Sequence, residues 1–354
     1  MKCLKKIFIV LIIFNLLIPT KVLGFSYVIM EEKSGRILES SDINNKKLIA
    51  SITKIMTCII ALENNNNLEK VIKVPNEVLK MYGTNIYIEV GEEIKIIDLL
   101  YGLMLRSGND AALTLAIATA GSEENFVKLM NKKAQELGMN NTIFNNPHGL
   151  DEDTKNYSTA YDMSLLARYA YKNKIYRKII KTKKYTCKSS IKSYLWYNRV
   201  SILNNYKYSL GGKNGYTPKA GKTLVSYAKK DNMTLIGVSL HDSNIYDTHE
   251  NLFEKDFKKY KLYKIVDKDN FSYNKKLFSE DIYLKESFYY PLKENELTNI
   301  STIINITNSN NTIPGKIIIK LNNKEIGSIN IYRKKQNKRR KESFFKKIIN
   351  KFKN

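Results

Sequence analysis

The chain is long enough for one sizeable core and a smaller module, and its hydrophobic content excludes a disordered protein: 43% of its 354 residues are hydrophobic. Its formal net charge of +25 predicts attraction to an acidic partner, such as nucleic acid, an anionic membrane or an anionic cell-wall polymer. Lys, Asn and Ile are enriched throughout the chain. A bias in the coding sequence produces the same enrichment without selection for an acidic partner. The distribution of the charges is therefore more informative than their sum.

The first 24 residues have the pattern of a secretory signal peptide. A lysine-rich start precedes an apolar run over residues 7–18, and Val22-Leu23-Gly24 forms a small-residue cleavage site. The run is shorter than the roughly 20 residues of a membrane-spanning helix, so we predict cleavage after Gly24 rather than a retained anchor. Export to the outer face of the cytoplasmic membrane or the cell wall follows, and it argues against a nucleic-acid partner.

Removal of this signal leaves two cysteines, Cys58 and Cys187. Two cysteines do not make a disulfide framework, and no His/Cys spacing indicates a metal site. The cysteine and histidine spacings therefore predict no disulfide framework and no metal site.

The mature chain begins with a predicted β-hairpin, in which Tyr27–Met30 and Ile37-Leu38 flank a turn at residues 33–36. From Ser51 onward, apolar residues recur every three or four positions, as on one buried face of a helix. Ser51 and Lys54 share a side of this predicted helix.

Four further helices are predicted, and the break between the first two holds Ser107-Gly108-Asn109. Asp110 is expected to cap the second of these helices, and Gly121 is expected to end it. Strand patterns then return around the polar turn at 229–232. The predicted helices span 97–105, 111–120, 123–137 and 160–180, and the late strands span 223–228 and 233–240.

These elements predict an α+β fold in which an antiparallel sheet is covered by a helical cluster. Short strand-like runs on both sides of Asn322-Asn323 predict a small β-rich domain further along the chain. The predicted organisation is a signal peptide (1–24), a main domain (25–259), a small β-rich domain (260–332) and a tail (333–354).

The tail combines a basic run with large apolar residues at helical spacing between lysines. This pattern is typical of a basic amphipathic helix that binds an anionic membrane surface. The alternative is a solvated tail, which charge runs often are. The apolar residues of the stripe are Phe344, Phe345, Ile348, Ile349 and Phe352.

Ser51 and Lys54 are the first candidate catalytic pair. A serine hydroxyl needs a base to become a nucleophile, and a lysine serves when burial lowers its pKa. Such a pair is more commonly a helix-capping serine followed by a surface lysine. The position of Lys54 beside the predicted buried stripe argues against a surface lysine here.

Two later motifs supply the remaining groups of an acyl-transfer site. Ser107 is a candidate for relaying a proton to a leaving group, and Asn109 is a candidate for orienting Lys54 and a substrate amide. Lys213-Asn214-Gly215 is predicted to open a strand, with Lys213 attracting a substrate carboxylate and Gly215 allowing close backbone approach. Alone, these motifs also suit an ordinary helix break and a turn.

Together with their surroundings, the motifs resemble the low-molecular-mass penicillin-binding proteins, the serine D-alanyl-D-alanine carboxypeptidases. The resemblance runs from about residue 26 to 257, and a β-rich module and amphipathic anchor follow, as in that family. The segments that carry it are Ser51-Ile-Thr-Lys-Ile-Met-Thr57, Asp98-Leu-Leu-Tyr-Gly-Leu-Met-Leu-Arg-Ser-Gly-Asn-Asp-Ala-Ala112, Asn146-Pro-His-Gly-Leu150 and Gly215-Tyr-Thr217.

The resemblance implies a β-lactamase/transpeptidase-like fold and attack by Ser51 on the penultimate D-alanine carbonyl of a peptidoglycan stem peptide. It implies that Lys54 is the general base, Ser107 the proton shuttle and Asn109 the orienting amide. The backbone N–H groups of Ser51 and Tyr216 are the implied oxyanion hole. β-Lactams, as mimics of the D-alanyl-D-alanine end, are implied to acylate the same serine.

Substrate binding is implied for Lys213, Asn214, Gly215, Tyr216 and Thr217. The family usually has a threonine where this chain has Asn214. It also commonly has an Arg-Phe pair where this chain has Ile245-Tyr246. Loss of one charge-assisted contact to the substrate carboxylate costs about 1.5 to 3 kcal/mol, so a specialised or weakened carboxypeptidase is expected.

Two other functions remain open from the sequence. One is a weakly active or non-catalytic protein that binds penicillin or the cell wall. The other is a β-lactamase, although no glutamate motif for fast deacylation is apparent. His148 is expected to be a structural loop residue and Cys58 a small buried thiol behind the site.

Overall fold

The structure, a computed structural model, describes residues 24–273, 281–306 and 313–334. Most of the predicted signal peptide and nearly all of the predicted tail lie outside the described residues. The chain divides into two compact units between Lys259 and Tyr260.

The first unit is built around one antiparallel sheet. Its strands, in chain order, are β1 (Ser26–Glu31), β2 (Ile37–Ser41), β3 (Lys47–Leu48), β4 (Val71–Lys73), β5 (Glu93–Lys95), β6 (Tyr157–Ser158), β7 (Lys184–Lys188), β8 (Ser193–Tyr197), β9 (Ser209–Thr217), β10 (Gly221–Lys230) and β11 (Met233–Leu240). The main sheet has the order β2-β1-β11-β10-β9. The predicted hairpin and both late strands are confirmed, and the first and last parts of the unit meet where β1 pairs with β11.

Eight α-helices accompany the sheet among the described residues of this unit. They are α1 (Lys54–Asn64), α2 (Ile96–Tyr101), α3 (Asn109–Ala120), α4 (Glu123–Glu136), α5 (Ala160–Lys172), α6 (Lys174–Lys181), α7 (Ile202–Asn205) and α8 (Ile245–Lys259). Shorter turns of 3₁₀ helix occupy Ala50–Thr53 and Asn76–Lys80, and a π-helical turn occupies Gly102–Arg106.

The predicted helix around Ser51 differs from the structure in two ways. Ser51 lies in a 3₁₀ turn, and α1 begins only at Lys54. In addition, α1 is buried on all sides from Lys54 to Ala61 rather than along one stripe. Because apolar neighbours surround α1, its single lysine, Lys54, is removed from water. This burial lowers the pKa of Lys54, on which the chemistry of the site depends.

Two other helix boundaries were predicted wrongly. The helix after the Ser107-Gly108-Asn109 break begins at Asn109 with Gly108 as its N-cap, so Asp110 lies inside the first turn. The carboxylate of Asp110 instead accepts backbone N–H groups of residues 86–88. The predicted helix 160–180 is two helices, because Asn173 ends α5 and caps α6 by accepting from the N–H groups of residues 175 and 176.

The second unit contains antiparallel strands. They are β12 (Lys261–Val266), β13 (Ile282–Leu284), β14 (Phe288–Leu292), β15 (Ile300–Ile306), β16 (Gly315–Leu321) and β17 (Lys324–Arg333). They form a four-stranded sheet in the order β13-β17-β16-β15 and a two-stranded sheet of β12 and β14. Alternate residues of β16 are buried, so one face of its sheet covers a small aliphatic core.

The turn at Asn322-Asn323 joins β16 and β17 with both residues at positive φ, the conformation that a two-residue hairpin turn requires. β17 reaches Arg333, which pairs with Ile282. The last strand therefore extends one residue into the predicted tail. Within the described ranges, no helix is long and apolar enough to cross a membrane.

Candidate active site

The Lys54 ammonium group lies among three oxygen atoms. Its Nζ is 3.1 Å from Ser51 Oγ, 2.7 Å from Asn109 Oδ1 and 2.5 Å from the backbone carbonyl oxygen of His148. The amide and backbone carbonyl oxygens only accept hydrogen bonds. A neutral Lys54 amine would use its two N–H groups on these oxygens, which leaves its lone pair directed at the Ser51 hydroxyl.

Burial lowers the pKa of Lys54 well below its usual value, and the positive charge of Lys213 lowers it further. The carboxylate of Asp110 acts in the opposite direction. A lysine that loses its proton more readily is better suited to accept one from a serine.

The His148 carbonyl is placed by the Asn146-Pro-His-Gly-Leu150 loop. Asn146 Oδ1 accepts the N–H groups of His148 and Gly149, and Asn156 Nδ2 donates to the backbone oxygen of Asn146 and to Thr53 Oγ1. The loop is thereby fastened to the start of α1. The sequence motif indicated the loop, but nothing in it indicated that a backbone oxygen would contact Lys54.

Gly149 fits this loop for two reasons. Its φ is +90°, and a Cβ there would lie 2.0 Å from the Ala50 carbonyl oxygen. Any side chain would therefore push the loop away from the turn that carries Ser51.

His148 itself has a structural role in this geometry. Its Nδ1 accepts the backbone N–H of Leu150, and burial together with the charge of Lys54 lowers its pKa to about 3. The imidazole remains neutral at ordinary pH and does not compete with Lys54 as a base. Cys58 is fully buried in α1, and burial raises the pKa of its thiol, so it is an inert core group.

Ser107 and Asn109 follow the π-helical turn directly. Ser107 has a left-handed φ of +67°, an uncommon conformation for a serine that places it at the end of that turn. Asn109 Oδ1 accepts from Lys54, and its Nδ2 donates to the Tyr82 carbonyl oxygen at 2.7 Å. Among the residues that the structure describes, none accepts the second N–H of the Asn109 side-chain amide, so this N–H is available to a substrate.

Lys213, Asn214 and Gly215 lie within β9, the edge strand of the sheet, rather than at its start. A Cβ on Gly215 would be 2.6 Å from the Ser51 nitrogen, so glycine lets the edge strand run close to the turn that carries Ser51. Lys213 is fully buried, and burial together with Arg199 lowers its pKa to about 7.

A cavity of about 170 Å³ lies above Ser51. It brings together groups from five separate parts of the chain, including Arg199, whose guanidinium sequence reasoning did not select. In the described part of the chain, no hydrogen bond or ion pair engages the guanidinium of Arg199. The cavity is lined by Ser51, Thr84, Ser107, Arg199, Asn214, Gly215 and Tyr216.

Asn214 is held by a short chain of hydrogen bonds. Its Nδ2 donates to Tyr246 Oη at 3.2 Å, and Tyr246 Oη donates to the Arg199 carbonyl oxygen at 3.3 Å. Ile245 and Tyr246 begin α8, where the resembling proteins commonly have Arg-Phe. The two positions at which the chain departs from the family pattern, Asn214 and Ile245-Tyr246, are therefore joined by the hydrogen bond between Asn214 and Tyr246.

Tyr216 and Thr217 differ in their surroundings. The Tyr216 side chain is 65% exposed at the cavity edge. Thr217 is buried outside this cavity, where its hydroxyl donates to Asp151 and accepts the Ala220 N–H. A direct contact between the Thr217 hydroxyl and substrate is therefore not what this geometry favours. No group of metal-ligating side chains occurs in the described ranges.

The chain belongs to the D-alanyl-D-alanine carboxypeptidase family, Peptidase S11, whose sequence profile matches residues 18–244, more than half of its length. The D-alanyl-D-alanine carboxypeptidase DacF of Bacillus subtilis is 37% identical over 218 residues, which cover 60% of this chain and 56% of that protein. The chain thus matches little more than half the length of this relative.

Solved structures show the same fold over most of the chain. The D-alanyl-D-alanine carboxypeptidase DacD of Francisella tularensis is 25% identical with a TM-score of 0.68, and the match covers 87% of this chain and 92% of that one. Penicillin-binding protein 5 of Haemophilus influenzae is 24% identical with a TM-score of 0.73, with 87% and 95% covered. The predicted α+β, transpeptidase-like fold is confirmed.

Proposed function

We propose that the protein is a serine D-alanyl-D-alanine carboxypeptidase that removes the terminal D-alanine from peptidoglycan stem peptides. The observation that carries the proposal is the position of Lys54 Nζ, within hydrogen-bond distance of Ser51 Oγ and of two carbonyl oxygens. A neutral amine that donates to both carbonyl oxygens keeps its lone pair for the Ser51 hydroxyl. Membership of the Peptidase S11 family supports the same activity.

In the proposed reaction, Ser51 Oγ forms a bond to the penultimate D-alanyl carbonyl carbon while Lys54 takes its proton. The C–N bond then breaks, the proton passes to the leaving nitrogen through Ser107, and D-alanine departs. Water attacks the acyl-enzyme and restores Ser51, which yields the shortened peptide acid. The backbone N–H groups of Ser51 and Tyr216 stabilise the oxyanion, and Asn109 orients Lys54 and the substrate.

Substrate binding is assigned to the β9 segment, with Lys213 supplying positive charge, Asn214 facing the leaving residue and Gly215 and Thr217 shaping the strand. β-Lactams are the second ligand class, because they acylate Ser51 in place of the peptide. No cofactor takes part in these steps.

The proposed location is outside the cytoplasmic membrane, at the cell wall. The signal-peptide pattern over 1–24 supports export, and the basic amphipathic pattern over 333–354 supports binding to an anionic membrane surface. Family membership supports action on peptidoglycan.

A weakly active, penicillin-binding protein is a second candidate, because Asn214 replaces the usual hydroxyl. The test is the intact mass of the mature protein after mixing with penicillin, with D-alanine release from a D-alanyl-D-alanine peptide followed in parallel. A carboxypeptidase gives an adduct and releases D-alanine, whereas Ser51→Ala gives neither. An adduct without release would favour the second candidate, and the absence of both would refute both functions.

A further inference from the structure

Positive charge is concentrated in one continuous part of the first unit. None of the 34 Asp and Glu residues falls between Asp162 and Asp231, whereas lysines and arginines continue throughout this span. A coding bias toward lysine raises the positive charge of the whole chain, but it does not remove acidic residues from one span alone. The gap in acidic residues therefore points to a surface on which positive charge has a role.

Helix α6 exposes a row of lysines within this span. Lys174, Lys178 and Lys181 are all exposed, and their spacing of four and three residues places them on one face of the helix. Because a helix rises 1.5 Å per residue, these lysines recur about every 5 to 6 Å along the axis. The opposite face of α6 is packed in the core through Tyr176, Ile179 and Ile180.

Strand β7 continues the row of charges. It begins three residues after the end of α6, and alternate residues of a strand lie on the same face. Lys184 and Lys188 are exposed on this face, and Lys183 is exposed just before it. Lys178 of α6 and Tyr185 of β7 line one cavity, so the helix and the strand lie side by side. We call these six lysines the basic surface: Lys174, Lys178, Lys181, Lys183, Lys184 and Lys188.

No carboxylate neutralises the basic surface. Among the described residues, no ion pair joins any of its lysines to an acidic side chain. The two acidic residues of the neighbouring cavity are already engaged. Glu69 pairs with Lys95, and Asp98 accepts a hydrogen bond from Tyr185 Oη. The six ammonium groups therefore repel one another until an anionic partner approaches.

The shape of the basic surface favours a polymer over a membrane. A helix that binds a membrane surface inserts an exposed apolar face, but the large apolar residues of α6 other than Ile175 are buried. A row of separate charges instead complements a chain whose negative groups repeat along its length. Each phosphate of a diester chain keeps one negative charge and accepts hydrogen bonds from lysine.

The basic surface lies close to the cavity above Ser51. Asn198 Nδ2 donates to the backbone carbonyl oxygens of residues 180 and 182, where α6 leads into β7. The next residue, Arg199, lines the Ser51 cavity. A polymer bound to the basic surface would therefore hold this cavity near the wall and raise the local concentration of its substrate.

We propose that the basic surface binds an anionic cell-wall polymer with a phosphodiester backbone. This inference rests on the proposed location at the cell wall and is independent of the reaction at Ser51. Binding is electrostatic and reversible, with no bond made or broken. It releases counterions from the polymer and therefore weakens as the salt concentration rises.

The experiment measures binding of the mature full-length protein to fluorescently labelled poly(glycerol phosphate) at several salt concentrations. Lys174→Gln/Lys178→Gln removes two charges from the basic surface. The matched control, Lys128→Gln/Lys132→Gln, removes two charges at the same spacing from α4, a helix that also carries acidic residues. The tail over residues 335–354 is the same in every variant, so its own attraction cancels in the comparison.

We expect the α6 variant to bind roughly 10-fold more weakly at about 0.1 M salt, and the slope of log Kd against log salt to fall by about 1.4. The control variant should change the affinity by less than about 2-fold. Adding Lys184→Gln and Lys188→Gln to the α6 variant should lower the affinity and the slope further. All of these positions are exposed, so the substitutions leave the core intact.

Equal weakening in the α6 and control variants would overturn the inference, because only net charge would then attract the polymer. Absence of binding by the unsubstituted protein would also overturn it. Weaker binding of the α6 variant to anionic vesicles, with unchanged binding to the polymer, would assign the surface to a membrane and overturn the polymer. Penicillin acylation, measured in parallel, separates the two proposals: its absence would overturn the reaction at Ser51 and not the binding of the polymer.

Discussion

At the scale of single residues, the proposed reaction depends on two buried lysines with opposite tasks. Lys54 must be neutral to accept a proton, and burial favours that state. Lys213 must be charged to attract a carboxylate, yet burial and Arg199 lower its pKa to about 7. Both conditions hold together only where Lys54 loses its proton at a lower pH than Lys213, so activity depends on how the protein separates the two pKa values.

This separation predicts a falling limb in the pH profile of penicillin acylation. As pH rises through about 7, Lys213 loses the charge that attracts the penicillin carboxylate, and the rate falls. Arg199→Gln removes a nearby like charge, so the pKa of Lys213 rises and the falling limb moves to higher pH. Stopped-flow acylation at several pH values measures this shift, with exposed Lys207→Gln as the control. An unmoved limb would show that Arg199 does not act on Lys213.

At the scale of elements, three pieces of backbone meet at Ser51: the 3₁₀ turn that carries it, the Asn146–Leu150 loop and the edge strand β9. The closest approaches to the turn are made by glycines. Gly149 of the loop lies against Ala50, and Gly215 of the strand lies against Ser51. The spacing of the active groups therefore depends on backbone contacts as much as on side chains.

Gly149→Ala is expected to be costly at this meeting point. The positive φ and the clash with the Ala50 carbonyl should lower the free energy of unfolding by about 2 kcal/mol or more and displace the His148 carbonyl from Lys54. Gly138→Ala is the matched control, because Gly138 has φ +73° but no atom within 4 Å of the added Cβ. Urea unfolding and penicillin acylation measure both effects. Equal losses in the two variants would contradict a specific steric role for Gly149.

Local patterns predicted the hairpin, most helices and the residues that gather at the site, because periodicity and short motifs act over neighbouring positions. They did not predict the break at Asn173, where capping by one side chain outweighed a continuous apolar pattern. Nor did they predict that Tyr246 and Arg199 would meet Asn214. These residues are separated along the chain by other elements, and only the folded sheet edge brings them together.

At the scale of the whole molecule, the chain combines an enzyme-like unit with a separate β-rich unit and a basic C-terminal segment. The second unit has its own aliphatic core, and its last strand ends at Arg333. The Lys334 N–H still donates to the Asp281 carbonyl oxygen. A deletion that spares the second unit should therefore begin after Lys334.

Deletion of residues 335–354 is expected to release the mature protein from anionic vesicles while penicillin acylation stays unchanged. Co-sedimentation with vesicles of mixed anionic and zwitterionic lipid measures the binding. A second variant, with Phe344, Phe345 and Ile348 changed to Ser, keeps the charge and separates apolar insertion from electrostatic attraction. Full retention of the deletion variant on vesicles would contradict a membrane role for the tail.

The contact between Lys54 and the His148 carbonyl has a consequence for the way such an enzyme tolerates mutation. A side-chain partner can be lost through a single codon change, but a main-chain oxygen is present whichever residue occupies position 148. Substitutions at His148 should therefore disturb the loop without removing this acceptor. Lys54 therefore keeps this acceptor when the residue type at position 148 changes, whereas a substitution that moves the loop, such as Gly149→Ala, is expected to remove it.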